Sequence, residues 1–314
     1  MEVYRTIDGQ VTKYIHDDGS ETAIKFVGSC DNQVGLSKQA RNKYSMFLSV
    51  SSGCMMKCKF CYLTVKKCGF SPLTKQQIVA NAKEAITEAT EANPSIKNRY
   101  IKLSWMGMGD ALAASKMVLE ATMEILDYIL DNGYAKGLDG VDLSTVYPNL
   151  KIDFTNYTEL NLRLTKYKIN PEHTDGRSPF RLFYSLHHPC SEQRATLIPG
   201  TVELLPAITT LNDLSYYTDI DIIYHYILLK DFNDSYKDLE MLIELLNTEA
   251  CSKHELRVLR FNECPNSPFK EAPDFDGIVK LLSKSVNKLK YQVSTGSEVK
   301  AACGQFLLKH LKGI

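Results

Sequence analysis

The chain has 314 residues, with 37 Lys plus Arg against 37 Asp plus Glu, so its net charge is zero and gives no steering toward nucleic acid or away from it. That length can bury a full core and fits one large domain with a small appendage. Residues 1–15 lack the basic start and apolar core of a signal peptide, and no apolar run approaches membrane-spanning length. Nine cysteines, three of them within eight residues, point to a reducing cytoplasm, because thiols so close in sequence cannot pair with one another without strain.

Residues 13–26 read as two short strands joined at Asp17-Asp18-Gly19, since Asp-Gly is a preferred hairpin turn. A β-hairpin extension is therefore expected over residues 1–45 and a larger α/β body over 46–314. In that body, strand-length apolar runs fall at 46–51, 100–105, 141–146, 180–186, 221–229 and 256–261. Helical spacing recurs between them, at 76–91 (Ile78, Val79, Ala82, Ile86), 116–130, 236–246 and 276–289. Six βα units in series imply a parallel sheet with right-handed crossovers, here an open partial (βα)6 barrel. Chemistry in such folds sits beyond the carboxyl ends of the strands. Residues 147–178, rich in Asn, Pro and charge, read as an insertion that faces substrate.

Cys54-Met-Met-Lys-Cys58-Lys-Phe-Cys61 follows the first strand of the body, which puts it at that catalytic end. A cubane cluster normally takes four protein thiolates, so a compact loop of three leaves one iron open. Such an iron can bind the amino and carboxylate groups of S-adenosylmethionine (SAM) and pass an electron to its sulfonium. Structural zinc is the competing reading, but it usually arrives as paired Cys-x-x-Cys knuckles with four ligands, and no second pair is present. Charge is also uneven here: residues 32–83 contain no Asp or Glu but nine basic residues, among them Lys57, Lys59, Lys66 and Lys67. An acid-free block around the motif suits an anionic substrate.

Several segments, taken with this motif, resemble the RlmN/Cfr family of radical SAM RNA adenine methyltransferases, from about Lys13 to the C-terminus. They are Ser51-Ser52-Gly53-Cys54, Trp105-Met-Gly-Met-Gly-Asp110-Ala-Leu112, Val141-Asp-Leu-Ser144-Thr145, Ser185-Leu-His187-His-Pro189, 228–235, Arg260-Phe-Asn262 and Ala301-Ala-Cys303-Gly-Gln305. The resemblance implies a radical SAM enzyme with a 4Fe-4S cluster on Cys54, Cys58 and Cys61. It implies SAM held by the turn Gly107, Met108, Gly109 and Asp110 and by Ser144, Ser185 and Asn262. A carboxylate suits the protonated amine of SAM, and hydroxyl and amide groups suit its ribose or carboxylate.

By the same resemblance Cys303 carries a methyl group to carbon 2, or carbon 8, of an adenine in RNA. A second SAM is cleaved to the deoxyadenosyl radical that activates this methyl, and Glu21 handles a proton at the substrate base. An external electron donor, an RNA substrate and a monomer complete the expectation, with no membrane partner. The chain departs from the family where a second cysteine normally releases the modified base, because Ser49 stands there; Cys68 and Cys30 are the candidate replacements. The alternative reading is a radical SAM enzyme of the same scaffold with a different substrate or an altered release step.

Overall fold

In the computed structural model the described residues are 1–26, 31–33, 42–171, 178–251, 254–292, 299 and 301. Cys30 and Cys303, both singled out from the sequence, lie outside them. The chain opens with three antiparallel strands, β1 (Glu2–Arg5), β2 (Val11–Ile15) and β3 (Glu21–Lys25). β2 and β3 are the expected hairpin. Ile15 faces Glu21 across it, and the Gly19 amide donates to the His16 carbonyl at 2.9 Å to close the Asp-Gly turn. β1 is an unexpected third strand, since four residues carry too little alternation to be read.

The N-terminal strands belong to the main sheet. β3 runs antiparallel to β5 (Lys43–Phe47), which follows the short β4 (Asp31–Gln33). β6 (Ser51–Ser52) and β7 (Ser71–Pro72) pair with each other and clip the cysteine loop at its base. Six more strands continue from β5, each parallel to its neighbour: β8 (Tyr100–Trp105), β9 (Leu138–Thr145), β10 (Phe180–Ser185), β11 (Asp221–Ile227), β12 (Glu255–Leu259) and β13 (Leu289–Gln292). β4 returns antiparallel to β13, which makes an 11-stranded mixed sheet. The parallel α/β core is as expected, with one parallel strand more.

Eight α-helices are described among these residues: α1 (Tyr62–Val65), α2 (Lys75–Ala92), α3 (Ser115–Asp131), α4 (Thr155–Leu164), α5 (Ser191–Leu197), α6 (Leu204–Thr218), α7 (Tyr236–Thr248) and α8 (Phe275–Leu282). α2 starts where Thr74 and Gln77 cap each other reciprocally. Two expectations need correction. Residues 147–178 contain α4, an ordinary crossover between β9 and β10; its Tyr157 and Leu160 are buried in the core, which Asn and charge on its outer face disguised. The helix expected over 276–289 stops at Leu282, where the Ser283 hydroxyl bonds back to the Lys280 carbonyl, and the chain re-enters the sheet as β13.

The parallel strands alternate strictly between two environments. Ile101, Leu103 and Trp105 of β8, Val141 and Leu143 of β9, and Leu182 and Tyr184 of β10 pack with the helices in one large apolar core. Between them, Lys102, Asp142 and Arg181 are charged yet buried, and with other charged residues of the neighbouring strands they form a lattice. Lys102 Nζ lies 2.9 Å from Asp142, whose other oxygen accepts from Arg181 Nε at 2.7 Å. Lys43 meets Asp139 at 2.9 Å, while Arg257 and Lys290 meet Glu255 at 2.6 and 3.2 Å. Burial alone would raise the Asp142 carboxyl, but Arg181 and Lys102 hold it down to about 2. Among the described residues no helix is long and apolar enough to cross a membrane.

Candidate active site

The segment from Leu48 to Gly53 is laced to the glycine turn after β8. Gly107 N donates to Leu48 O at 2.9 Å, Val50 N to Met108 O at 2.9 Å, and Gly53 N to Met108 Sδ at 3.3 Å. A Cβ at Gly107 would lie 2.5 Å from Ser49 Oγ and 2.6 Å from Leu48 O, so only glycine permits this approach. Gly109 has φ +87°, a left-handed conformation, and a Cβ there would run into Ser51 Oγ and Val50. The cysteine lead-in and the Met-Gly-Met-Gly turn, recognised separately in the sequence, are thus one structural unit.

Ser49 belongs to this unit. It is buried, donates to the Glu21 carbonyl at 2.5 Å and accepts from the Met108 amide at 3.0 Å. Its hydroxyl is therefore fully used in joining β3 to the turn. Asp110 caps the short 3-10 turn 111–114 by accepting from Leu112 N at 3.0 Å. It also takes the Thr145 hydroxyl at 2.9 Å on both oxygens and Val146 N at 2.8 Å, which ties the turn to the end of β9. Burial pushes its carboxyl up to about 6, against those hydrogen bonds, and no cation among the described residues offsets it.

These elements enclose a cleft at the carboxyl ends of the strands. Cys54, Cys58 and Cys61 line it together with Gly107, Gly109, Asp110, Ser144 and Ser185. Burial, then the nearby Cys61 and Cys54, push the Cys58 thiol well up, and burial pushes up Cys54, whose sulfur accepts from Met56 N at 3.4 Å. Three thiols lining one cleft need a nearby cation before they can ionise together. Their donor chemistry fits an iron–sulfur cluster, with Asp110, Ser144 and Ser185 on the facing walls. Among the described residues no three His, Cys, Asp or Glu side chains are gathered tightly enough to hold a single metal ion.

Other expected residues lie elsewhere. Met108 is buried behind the turn, and Asn262 follows β12 without lining the cleft. Glu21 is wholly buried on β3 in an ion pair with Lys13 and does not line the cleft either. Ala301, two residues before Cys303 in sequence, packs with Tyr62, Leu63, Met108 and Ala23, and Cys54, Cys61, Cys68 and Cys264 border the same cluster. Burial and the charge of Glu21 raise the Cys68 thiol, so it lies near that carboxylate.

Sequence reasoning also missed two histidines that line the cleft, His187 and His225. His187 adopts φ 56°, accepts from Ile227 N through Nδ1 at 3.1 Å, and meets the edge of Phe60 at 5.1 Å. Burial first, then the charges of His225 and Arg194, push its imidazole well below the ordinary histidine range. Its place in Ser185-Leu-His187 was the available signal; His225 offered none.

No family profile matches the chain. It is 27% identical over 281 residues to a probable dual-specificity RNA methyltransferase RlmN of Dictyoglomus turgidum, covering 87% of this chain and 71% of that protein. The corresponding protein of Bacteroides thetaiotaomicron is 26% identical over 310 residues, covering 97% and 76%. Among solved structures, a radical SAM methyltransferase from Sphaerobacter thermophilus superimposes with a TM-score of 0.67 at 22% identity, over 97% of this chain and 80% of that one. The fold is therefore that of a radical SAM protein, a mixed α/β architecture built on a parallel sheet. Within that class, the similarity to proteins named RlmN, at 26–27% identity over most of the chain, supports an RlmN/Cfr-like reading.

Proposed function

We propose that this protein is a radical SAM methyltransferase that acts on adenine in RNA. The observation that carries the reading is the convergence of Cys54, Cys58 and Cys61 with Gly107, Gly109, Asp110, Ser144 and Ser185 on one cleft. Cys54, Cys58 and Cys61 would hold a 4Fe-4S cluster, which when bound and reduced would supply the electron for SAM cleavage. Asp110, with no cation of its own, receives the SAM amine; Ser144 and Ser185 receive carboxylate or ribose oxygens. Phe60 against His187 closes the wall of the cleft to water.

The similarity to proteins named as RNA methyltransferases supports RNA as the substrate. An external reductant supplies the electron. Cys303 is proposed as the methyl carrier and Glu21 as the proton-handling carboxylate, with Asn262 and Met108 in supporting places around SAM. Ser49 leaves the release thiol unassigned, and Cys68, bordering the same cluster as Ala301, is the described candidate.

The test is anaerobic reconstitution with iron and sulfide. The chain should bind about four irons and, once reduced, convert SAM to deoxyadenosine. Cys58→Ala should abolish both. Stoichiometric zinc with no brown chromophore would overturn the reading.

A further inference from the structure

Seven lysine or arginine side chains are buried among the described residues. Six are held against a carboxylate: Lys13 by Glu21, Lys43 by Asp139, Lys102 and Arg181 by Asp142, and Arg257 and Lys290 by Glu255. The seventh, Arg194 on α5, is 2% exposed and is bound only to uncharged groups. Its Nε donates to Leu186 O at 3.0 Å, and Nη1 to Thr201 Oγ1 at 2.8 Å and Val202 O at 3.4 Å. Its Nη2 donates to Val146 O at 2.8 Å and Ser185 O at 3.0 Å, and the guanidinium lies 4.9 Å from the centre of the Tyr184 ring. Carbonyl dipoles and a ring face solvate a cation without neutralising it, and a buried charge left in that state is costly.

The anion it lacks has a place beside it. Leu197 and Ile198, one turn further along, pack with Cys58 and Met56 in one small apolar cluster that also contains Val146, whose carbonyl accepts from Arg194. Lys59 N donates to Leu197 O at 2.9 Å, which stitches the cysteine loop to the end of α5. Arg194 and Cys58 are close enough for each to feel the other's charge.

We propose that Arg194 is the fixed counter-charge of the iron–sulfur cluster and favours its reduced state. The proposal rests on the cluster assignment made above. A cubane core held by three thiolates is net negative and gains one further negative charge when an electron enters. A buried cation therefore stabilises the reduced form more than the oxidised one and raises the midpoint potential. One electron passes from the reductant to the cluster in this step, and no bond or proton changes hands.

The experiment is a redox titration of the reconstituted full-length chain with dithionite as reductant, followed by electron paramagnetic resonance. Arg194→Gln removes the charge. Thr201→Asp keeps Arg194 and its hydrogen bonds but sets a carboxylate on its guanidinium. Both should lower the reduced-to-oxidised ratio at fixed potential at least tenfold, about 59 mV for one electron. Arg194→Lys, which keeps the charge but loses most of the hydrogen bonds, should stay within about threefold of wild type. If Arg194→Gln takes up no cluster, Thr201→Asp decides alone. An unchanged midpoint in Thr201→Asp, or an equal fall in Arg194→Lys, overturns the proposal. A wild-type chain that binds no cluster overturns the assignment beneath it, and the proposal falls with that assignment for a separately visible reason.

Discussion

Asp142 and Asp110 sit within reach of the same strand, β9, yet the protein treats them in opposite ways. Asp142, in the charged lattice, meets Lys102 and Arg181 and is held at about 2. Asp110, on the cleft wall, meets only hydroxyl and amide donors and rises to about 6. In the lattice every charge is answered by another from the chain, so its energy goes into the fold. Among the described residues, Asp110 on the cleft wall and Arg194 on α5 have no such answer, and the proposals above give each an ionic ligand.

Replacing the two aspartates by asparagine is the sharpest way to break the comparison. Asp142→Asn leaves Lys102 and Arg181 buried without a counter-charge and should cost roughly 3–5 kcal/mol of stability, read from denaturant unfolding. Asp110→Asn should unfold within about 1 kcal/mol of wild type, since the amide oxygen still accepts from backbone donors, but its affinity for SAM in a binding titration should fall at least tenfold. Equal losses of stability in both variants would remove the distinction.

Smaller effects should follow from the glycine turn. Gly107→Ala drives a methyl group into Ser49 and Leu48 O and should cost about 1–3 kcal/mol, while also weakening SAM binding because the turn must move. Ser49→Cys replaces a hydroxyl that makes two buried hydrogen bonds and should cost about 1–2 kcal/mol. If Ser49→Cys instead raises turnover on RNA at unchanged stability, this position is a vacant place for the release thiol rather than a structural joint.

The pH dependence of stability gives the smallest and most specific signature. Asp110 has a folded pKa above its unfolded value near 4, so the fold loses stability as pH rises from about 4 to 6. Asp142 has a folded pKa below that value; its contribution, about 2 kcal/mol, is full above pH 4 and is lost as pH falls toward 2. Urea midpoints should therefore pass through a maximum near pH 4 from these two groups. In Asp142→Asn the acid side of that maximum should flatten, and in Asp110→Asn the other side should.

What could be read in the sequence was local. The spacing of Cys54, Cys58 and Cys61, the Asp-Gly hairpin and the Gly107 to Asp110 turn each announce themselves within a few residues, and the structure brings the first and last together. The lattice was not legible, because Lys102, Asp142, Arg181 and Arg257 read singly as ordinary polar residues of a half-exposed strand. The partners of Lys102, Asp142 and Arg181 come from neighbouring strands far away in sequence, while Arg257 meets Glu255 on its own strand. Arg194 and His225 were hidden for the same reason, since burial and the company of Cys58 or His187 arise only from packing. β13 was missed because four residues after a helix carry too short a pattern to show a period of two.

The most direct test of the account is to incubate the reduced, reconstituted chain with methyl-labelled SAM and adenine-containing RNA and to digest the RNA to nucleosides for mass spectrometry. The account predicts label in 2-methyladenosine or 8-methyladenosine, and its loss in Cys303→Ala with the cluster intact. Deoxyadenosine production with the label confined to another molecule or another base, or methylated adenosine formed equally well by Cys303→Ala, would contradict it.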